Sequence, residues 1–177
     1  MKLGKRVVLT WLALAALSPA AAGAAAAAKA NFTGTWVLDA ARTEGLPPGV
    51  EQTLTVKHEG DRVEIEQKVK TPQGEQTIKT DYTLDGAEVE FTPPPAVKTF
   101  TGDMPTIGKG RRTAKWAADG GAFVVTELVD VKTLEGPDTM KAVRTWTLSA
   151  DGKTLTVEQR SQTPNGLAMN KRVFAKQ

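Results

Sequence analysis

From residue 31 onward, apolar residues return at every second position and almost never at helical spacing, which confines this chain to β-strands. Phe32, Gly34, Trp36 and Leu38 share one face of a first strand, and Leu54 and Val56 alternate with Thr53, Thr55 and Lys57. Val63, Ile65, Gln67 and Val69 alternate with Glu64, Glu66, Lys68 and Lys70. One face of each strand is therefore built for a core and the other for water, the signature of an antiparallel sheet. Turn signals punctuate the runs. Asp85-Gly86 stands between Tyr82 and Phe91, Asp119-Gly120 between Trp116 and Phe123, and Asp151-Gly152 between Trp146 and Val157. Glu59-Gly60-Asp61 is a fourth such signal. Asp-Gly favours the positive φ of a tight hairpin, so the pattern predicts four hairpins in an up-and-down meander.

The alternation predicts strands over 32–38, 51–58, 62–70, 75–84, 87–92, 110–117, 121–131, 139–148, 153–162 and 167–175. An open sheet of that size leaves two long edges, so closure is expected. The predicted fold is all-β, an antiparallel up-and-down β-barrel of eight to ten strands in a single domain over 31–177. A barrel of that size is either filled by side chains or holds one small ligand. Two segments fall outside the pattern. Asp39–Val50 has room for one helical turn before Pro47-Pro48, and Thr92–Lys109 carries Phe100, Met104 and Ile107 without a period. The second reads as a lid over a barrel mouth.

Residues 1–30 read as an export signal. Lys2, Lys5 and Arg6 precede an apolar run over Val7–Leu17 and an Ala-rich tract, the order of a secretory leader. The expected location is therefore periplasmic or secreted. Removing the leader takes Lys2, Lys5, Arg6 and Lys29 from 23 basic residues, leaving 19 against 20 acidic ones, so the net charge falls from +3 to −1. Cleavage after Ala28 instead retains Lys29 and gives zero. Neither product is a polycation, and a nucleic-acid partner is not expected. No second hydrophobic run is long enough to span a bilayer after signal cleavage. Cysteine is absent, which excludes disulfides, thiolate metal sites, a Cys nucleophile and a lipid-anchored N-terminal cysteine.

The inventory for catalysis is thin. His58 is the single histidine and reads as a strand-end residue. Neither Ser149 nor Ser161 lies in a nucleophile elbow. No residues have metal-ligand spacing, and there is no Gly-rich phosphate loop. Glu64, Glu66, Glu88 and Glu90 occupy polar faces, whereas an acid–base pair needs one buried member. No catalytic residue, metal or cofactor is assigned, and an enzyme is not expected. One pattern stands out. Arg112 with Trp116, Arg144 with Trp146, and Arg172 with Phe174 share strand faces, because side chains two or four apart point the same way. Either these arginines cap strand ends and reach water along their stems, or they follow the aromatics inward and require an internal acid, an aromatic face or a bound anion.

Phe32-Thr33-Gly34-Thr35-Trp36 at the start and Lys171-Arg172-Val173-Phe174 at the end, with hairpins between them, resemble the calycin group, in particular fatty-acid-binding proteins and lipocalins. The chain also resembles secreted, lipocalin-like bacterial proteins of uncharacterised function, through its opening Asn31–Asp39 stretch and the Trp146–Leu155 hairpin. The resemblance implies that Trp36 is the tryptophan of the barrel base, with Arg172 or Arg144 as its arginine neighbour. It further implies that Arg172 holds a ligand carboxylate with Arg144 as the second arginine, while Phe174 replaces the family's tyrosine. The expected function is non-enzymatic binding of a small apolar or amphipathic ligand, hydrophobic or carboxylate, inside the barrel. Trp36, Trp116, Arg144, Trp146, Arg172 and Phe174 are its expected contacts. The alternative is a solid barrel acting as a structural or protein-interaction module of the cell envelope.

Overall fold

The computed structural model describes residues 29–99, 102–164 and 166–177. Most of the predicted leader, and Phe100 of the predicted lid, lie outside these residues. The described chain forms β1 (Gly34–Leu38), β2 (Glu51–Glu59), β3 (Arg62–Thr71), β4 (Gly74–Thr83), β5 (Asp85–Phe91), β6 (Ala96–Thr99), β7 (Gly102–Trp116), β8 (Ala122–Thr133), β9 (Gly136–Leu148), β10 (Thr154–Thr163) and β11 (Gly166–Lys176). All pairings are antiparallel, in the order β4-β3-β2-β1-β11-β10-β9-β8-β7-β5, with β6 on β7 outside that path. The result is a nearly closed barrel of ten strands. Each predicted strand has its counterpart, and the core is the expected set of alternate residues.

Two expectations are corrected. Asp85-Gly86 does not make a hairpin, because β4 and β5 lie at opposite ends of the strand order and β5 pairs with β7 instead. The Asp85 carboxylate accepts from the Ala87 N–H at 2.8 Å, a local turn that needs no strand partner. The chain there crosses the seam of the barrel. Arg112 on β7 spans that seam, donating to the Asp81 carbonyl of β4 at 3.2 Å and lying over the rings of Tyr82 and Phe91. The second correction is Thr92–Lys109, which is no structureless lid. β6 pairs with the start of β7, Ala96 opposite Pro105 and Thr99 opposite Gly102, so the segment is a hairpin arm. Its alternation was hidden by proline and by an irregular register between Ile107 and Arg111.

The meander sorts its turns by end. The Glu-Gly and Asp-Gly turns after β2, β4, β7 and β9 all fall at one end of the barrel. At the other end the turns after β3, β8 and β10 share a Thr-x-x-Gly form. Thr71, Thr133 and Thr163 donate to the carbonyls of Gly74, Gly136 and Gly166 at 3.2, 2.7 and 3.1 Å. The Asp-Gly end is packed. Phe32, Trp36, Phe123 and Phe174 are each at most 1% exposed. Phe32 meets Phe123 edge-on at 5.0 Å, and Phe123 stacks on Trp146 at 5.5 Å. The Gly34-x-Trp36 spacing has a steric reason: a Cβ on Gly34 would meet Lys176 Cε at 2.8 Å, and Gly34 has φ +148°. That lysine lies over the Trp36 ring.

Candidate functional site

Between the packed end and the Thr-x-x-Gly end the interior is not filled. A cavity of about 400 Å³ opens among Leu54, Ile65, Ile78, Trp146, Val157 and Phe174 on its apolar side. Gln52, Gln67, Thr80, Tyr82, Arg144, Gln159, Asn170 and Arg172 form its polar side. Strand register explains the placement. Trp146, Val157 and Arg172 are directly opposite one another across β9, β10 and β11, and Arg144, Gln159 and Asn170 form the next rung.

The three arginines point inward, which decides between the two sequence readings. Arg112 and Arg144 meet the same internal carboxylate, Glu127, at 3.7 and 2.9 Å. Arg144 also donates to Gln159 Oε1 at 2.8 Å, and Gln159 in turn donates to Ser161. Beside them, burial raises the Tyr82 hydroxyl above its usual value, with Arg144 opposing and Glu127 adding to that shift. Arg172 is different. It has no hydrogen-bond or carboxylate partner among the described residues, and burial alone pulls its guanidinium below the usual value. The cavity wall contains two arginines and no carboxylate, and with Arg144 paired to Glu127 the uncompensated charge is that of Arg172.

A second orphan lies in the same wall. Trp146 is 6% exposed, and its Nε1–H has no partner. Leaving a buried donor unsatisfied costs about 1–3 kcal/mol, and the same residue's ring lines the cavity. The other two tryptophans among the described residues are satisfied. Trp36 Nε1 donates to the Phe32 carbonyl at 3.0 Å, and Trp116 Nε1 donates to Asp61 at 2.9 Å. Of the six residues predicted as contacts, Arg144, Trp146, Arg172 and Phe174 line the cavity, whereas Trp36 and Trp116 do not. Those two belong to the packed end. Their parity with the core predicted an inward direction correctly but not which end of the barrel they occupy.

Sequence reasoning missed the amides. Gln52 has the parity of Leu54 and Val56, Gln159 that of Leu155 and Val157, and Asn170 that of Arg172 and Phe174. A polar residue at a core position is the signal that marks them. Glu127 was likewise legible as the inward partner opposite Arg112.

Other surfaces are less suited to a ligand. An outer concavity of about 390 Å³ on β2–β4 is lined by Lys57, Arg62, Glu64, Glu66, Lys79 and Asp81, three cations balanced by three anions, with Arg62 paired to Glu64 and Lys79 to Glu66. His58 sits in the packed end. Its Nδ1 accepts from the Phe32 N–H at 3.2 Å and its Nε2 contacts the Gly60 carbonyl at 3.1 Å, which fixes the neutral tautomer with the proton on Nε2. Burial lowers its pKa. Among the described residues no group of three or more metal-ligating side chains converges, and no helix is long and apolar enough to cross a membrane.

No protein-family model matches the chain, and no curated protein is similar to it in sequence. Solved structures with a similar chain trace include the zebrafish ileal bile acid-binding protein complexed with cholic acid, 15% identical, TM-score 0.46, covering 82% of this chain and 98% of that one. Another is secretory abundant heat soluble protein 4 from Ramazzottius varieornatus, 14% identical, TM-score 0.44, covering 82% and 94%. A third is the fatty-acid-binding protein of Manduca sexta, 18% identical, TM-score 0.39, covering 82% and 99%.

Proposed function

We propose that this protein is an exported, non-enzymatic carrier or sensor that binds a small amphipathic anion inside its barrel. The observation that carries the reading is Arg172, a half-buried cation facing a cavity with no counter-charge. Burying a guanidinium without a partner is unfavourable, and a ligand carboxylate supplies what the wall lacks. The Trp146 ring, Leu54, Ile65, Val157 and Phe174 receive the apolar part. Arg144 serves as the second cation, held in place by Glu127 and Gln159. Export rests on the residue 1–30 pattern. The ion pair of Lys29 with Asp61 at 2.6 Å and the bond from the Ala30 N–H to the Gly120 carbonyl at 2.9 Å support processing after Ala28, so that both residues stay with the barrel.

The test is a titration of the purified protein with a panel of carboxylates and their neutral amides. Carboxylates bind, their amides bind at least about tenfold more weakly, and Arg172→Gln removes the difference. Equal binding of acid and amide, or no binding by any member, would refute the reading.

A further inference from the structure

The polar side of the cavity holds more than the arginines need. Gln52 is 6% exposed, and neither it nor Gln67 nor Asn170 has a side-chain hydrogen-bond partner among the described residues, although all three line the cavity with Arg172. Gln159 shows what a committed amide looks like here, with Arg144 on its oxygen and Ser161 on its nitrogen. The uncommitted amides lie on β3, β2 and β11, strands grouped around the short β1 in the sheet order. Each offers a donor and an acceptor in one group. An alkyl chain laid against them would strand those groups without partners, whereas vicinal hydroxyls satisfy both. The aromatic and aliphatic walls then take the C–H faces of the same molecule.

We infer that the ligand class is a polyhydroxylated carboxylate, of the sugar-acid kind, with its carboxylate on Arg172 and its hydroxyls on Gln52, Gln67 and Asn170. This rests on the anion reading above, keeps its carboxylate and lets C–H faces take the place of its apolar part. A site built to hydrogen-bond a hydroxyl discriminates strongly against the analogue that lacks it.

The experiment compares sodium gluconate with sodium hexanoate, of equal carbon count and charge, by titration calorimetry on the intact protein. Gluconate is expected to bind at least about tenfold more tightly. Gln52→Leu and Gln67→Leu are each expected to weaken gluconate by roughly tenfold and to leave hexanoate unchanged or stronger. Asn170→Ala, at the exposed mouth, tests the same amide set without touching the buried core. Hexanoate binding as tightly as gluconate, with both weakened by Arg172→Gln, would overturn the hydroxylated class and leave the anion reading standing. Gluconamide binding as tightly as gluconate would overturn the anion reading. No gluconate binding would overturn the inference itself.

Discussion

Trp36 and Trp146 are both buried, yet only Trp36 has its indole nitrogen answered. The contrast between them divides the barrel in two. At the Asp-Gly end, Trp36 bonds to the Phe32 carbonyl, Trp116 to Asp61, and His58 to both Phe32 and Gly60. Toward the Thr-x-x-Gly end, Trp146, Gln52 and Arg172 face an open cavity with their polar groups uncommitted. A fold under selection for stability alone tends to fill or pair such groups. The packed end holds the barrel together, and the other half leaves its hydrogen-bonding groups uncommitted, as the proposed ligand site requires.

The comparison breaks if substitutions in the two halves behave alike. Phe123→Ala removes the ring that Phe32, Tyr82 and Trp146 all touch, and urea denaturation is expected to show a loss of about 3–5 kcal/mol. Arg144→Met strips Glu127 of its closer partner and leaves Arg112 at 3.7 Å. The pair is partly solvated, so the expected loss is smaller, about 1–3 kcal/mol in the same assay. Gly34→Ala forces a side chain into Lys176 at a positive φ, with an expected loss of about 1–2 kcal/mol.

The pH response belongs to the packed end. His58 must be neutral at Nδ1 to accept from Phe32, and burial lowers its pKa in the folded state. The unfolded chain therefore takes up the proton first. Its contribution to stability is complete above about pH 6.5, the ordinary histidine value, and is lost as pH falls through the lower, folded-state value. Urea midpoints measured between about pH 7.5 and pH 5 should fall for the parent protein. They should flatten for His58→Gln, and an unchanged slope would remove His58 as the cause. The smallest stability effect is expected for Arg172→Gln, within about 0.5 kcal/mol or stabilising, because that side chain has no partner to lose.

Much of the fold was legible because strand parity is a local property. Leu54, Val63, Val157 and Phe174 announce their direction from their immediate neighbours, and the ten strands follow. The seam was not legible, since Asp85-Gly86 carries the same dipeptide as the true hairpins at Asp119-Gly120 and Asp151-Gly152. Whether β4 then meets β5 or a distant strand is settled by barrel closure, which no short window contains. The site divides in the same way. Arg144 and Arg172 were readable through their aromatic neighbours, while the cavity's position beside Trp146 depends on the cross-strand register that sets Trp146 opposite Val157 and Val157 opposite Arg172.

The central claim is tested most directly at the indole N–H groups, each of which gives its own resonance in a ¹H–¹⁵N spectrum and is assigned by single Trp→Phe variants. On titration with gluconate the Trp146 signal should shift and saturate, those of Trp36 and Trp116 should stay in place, and Arg172→Gln should abolish the shift. A Trp146 resonance that does not move while the carboxylate binds, or movement confined to Trp36 or Trp116, would contradict the account.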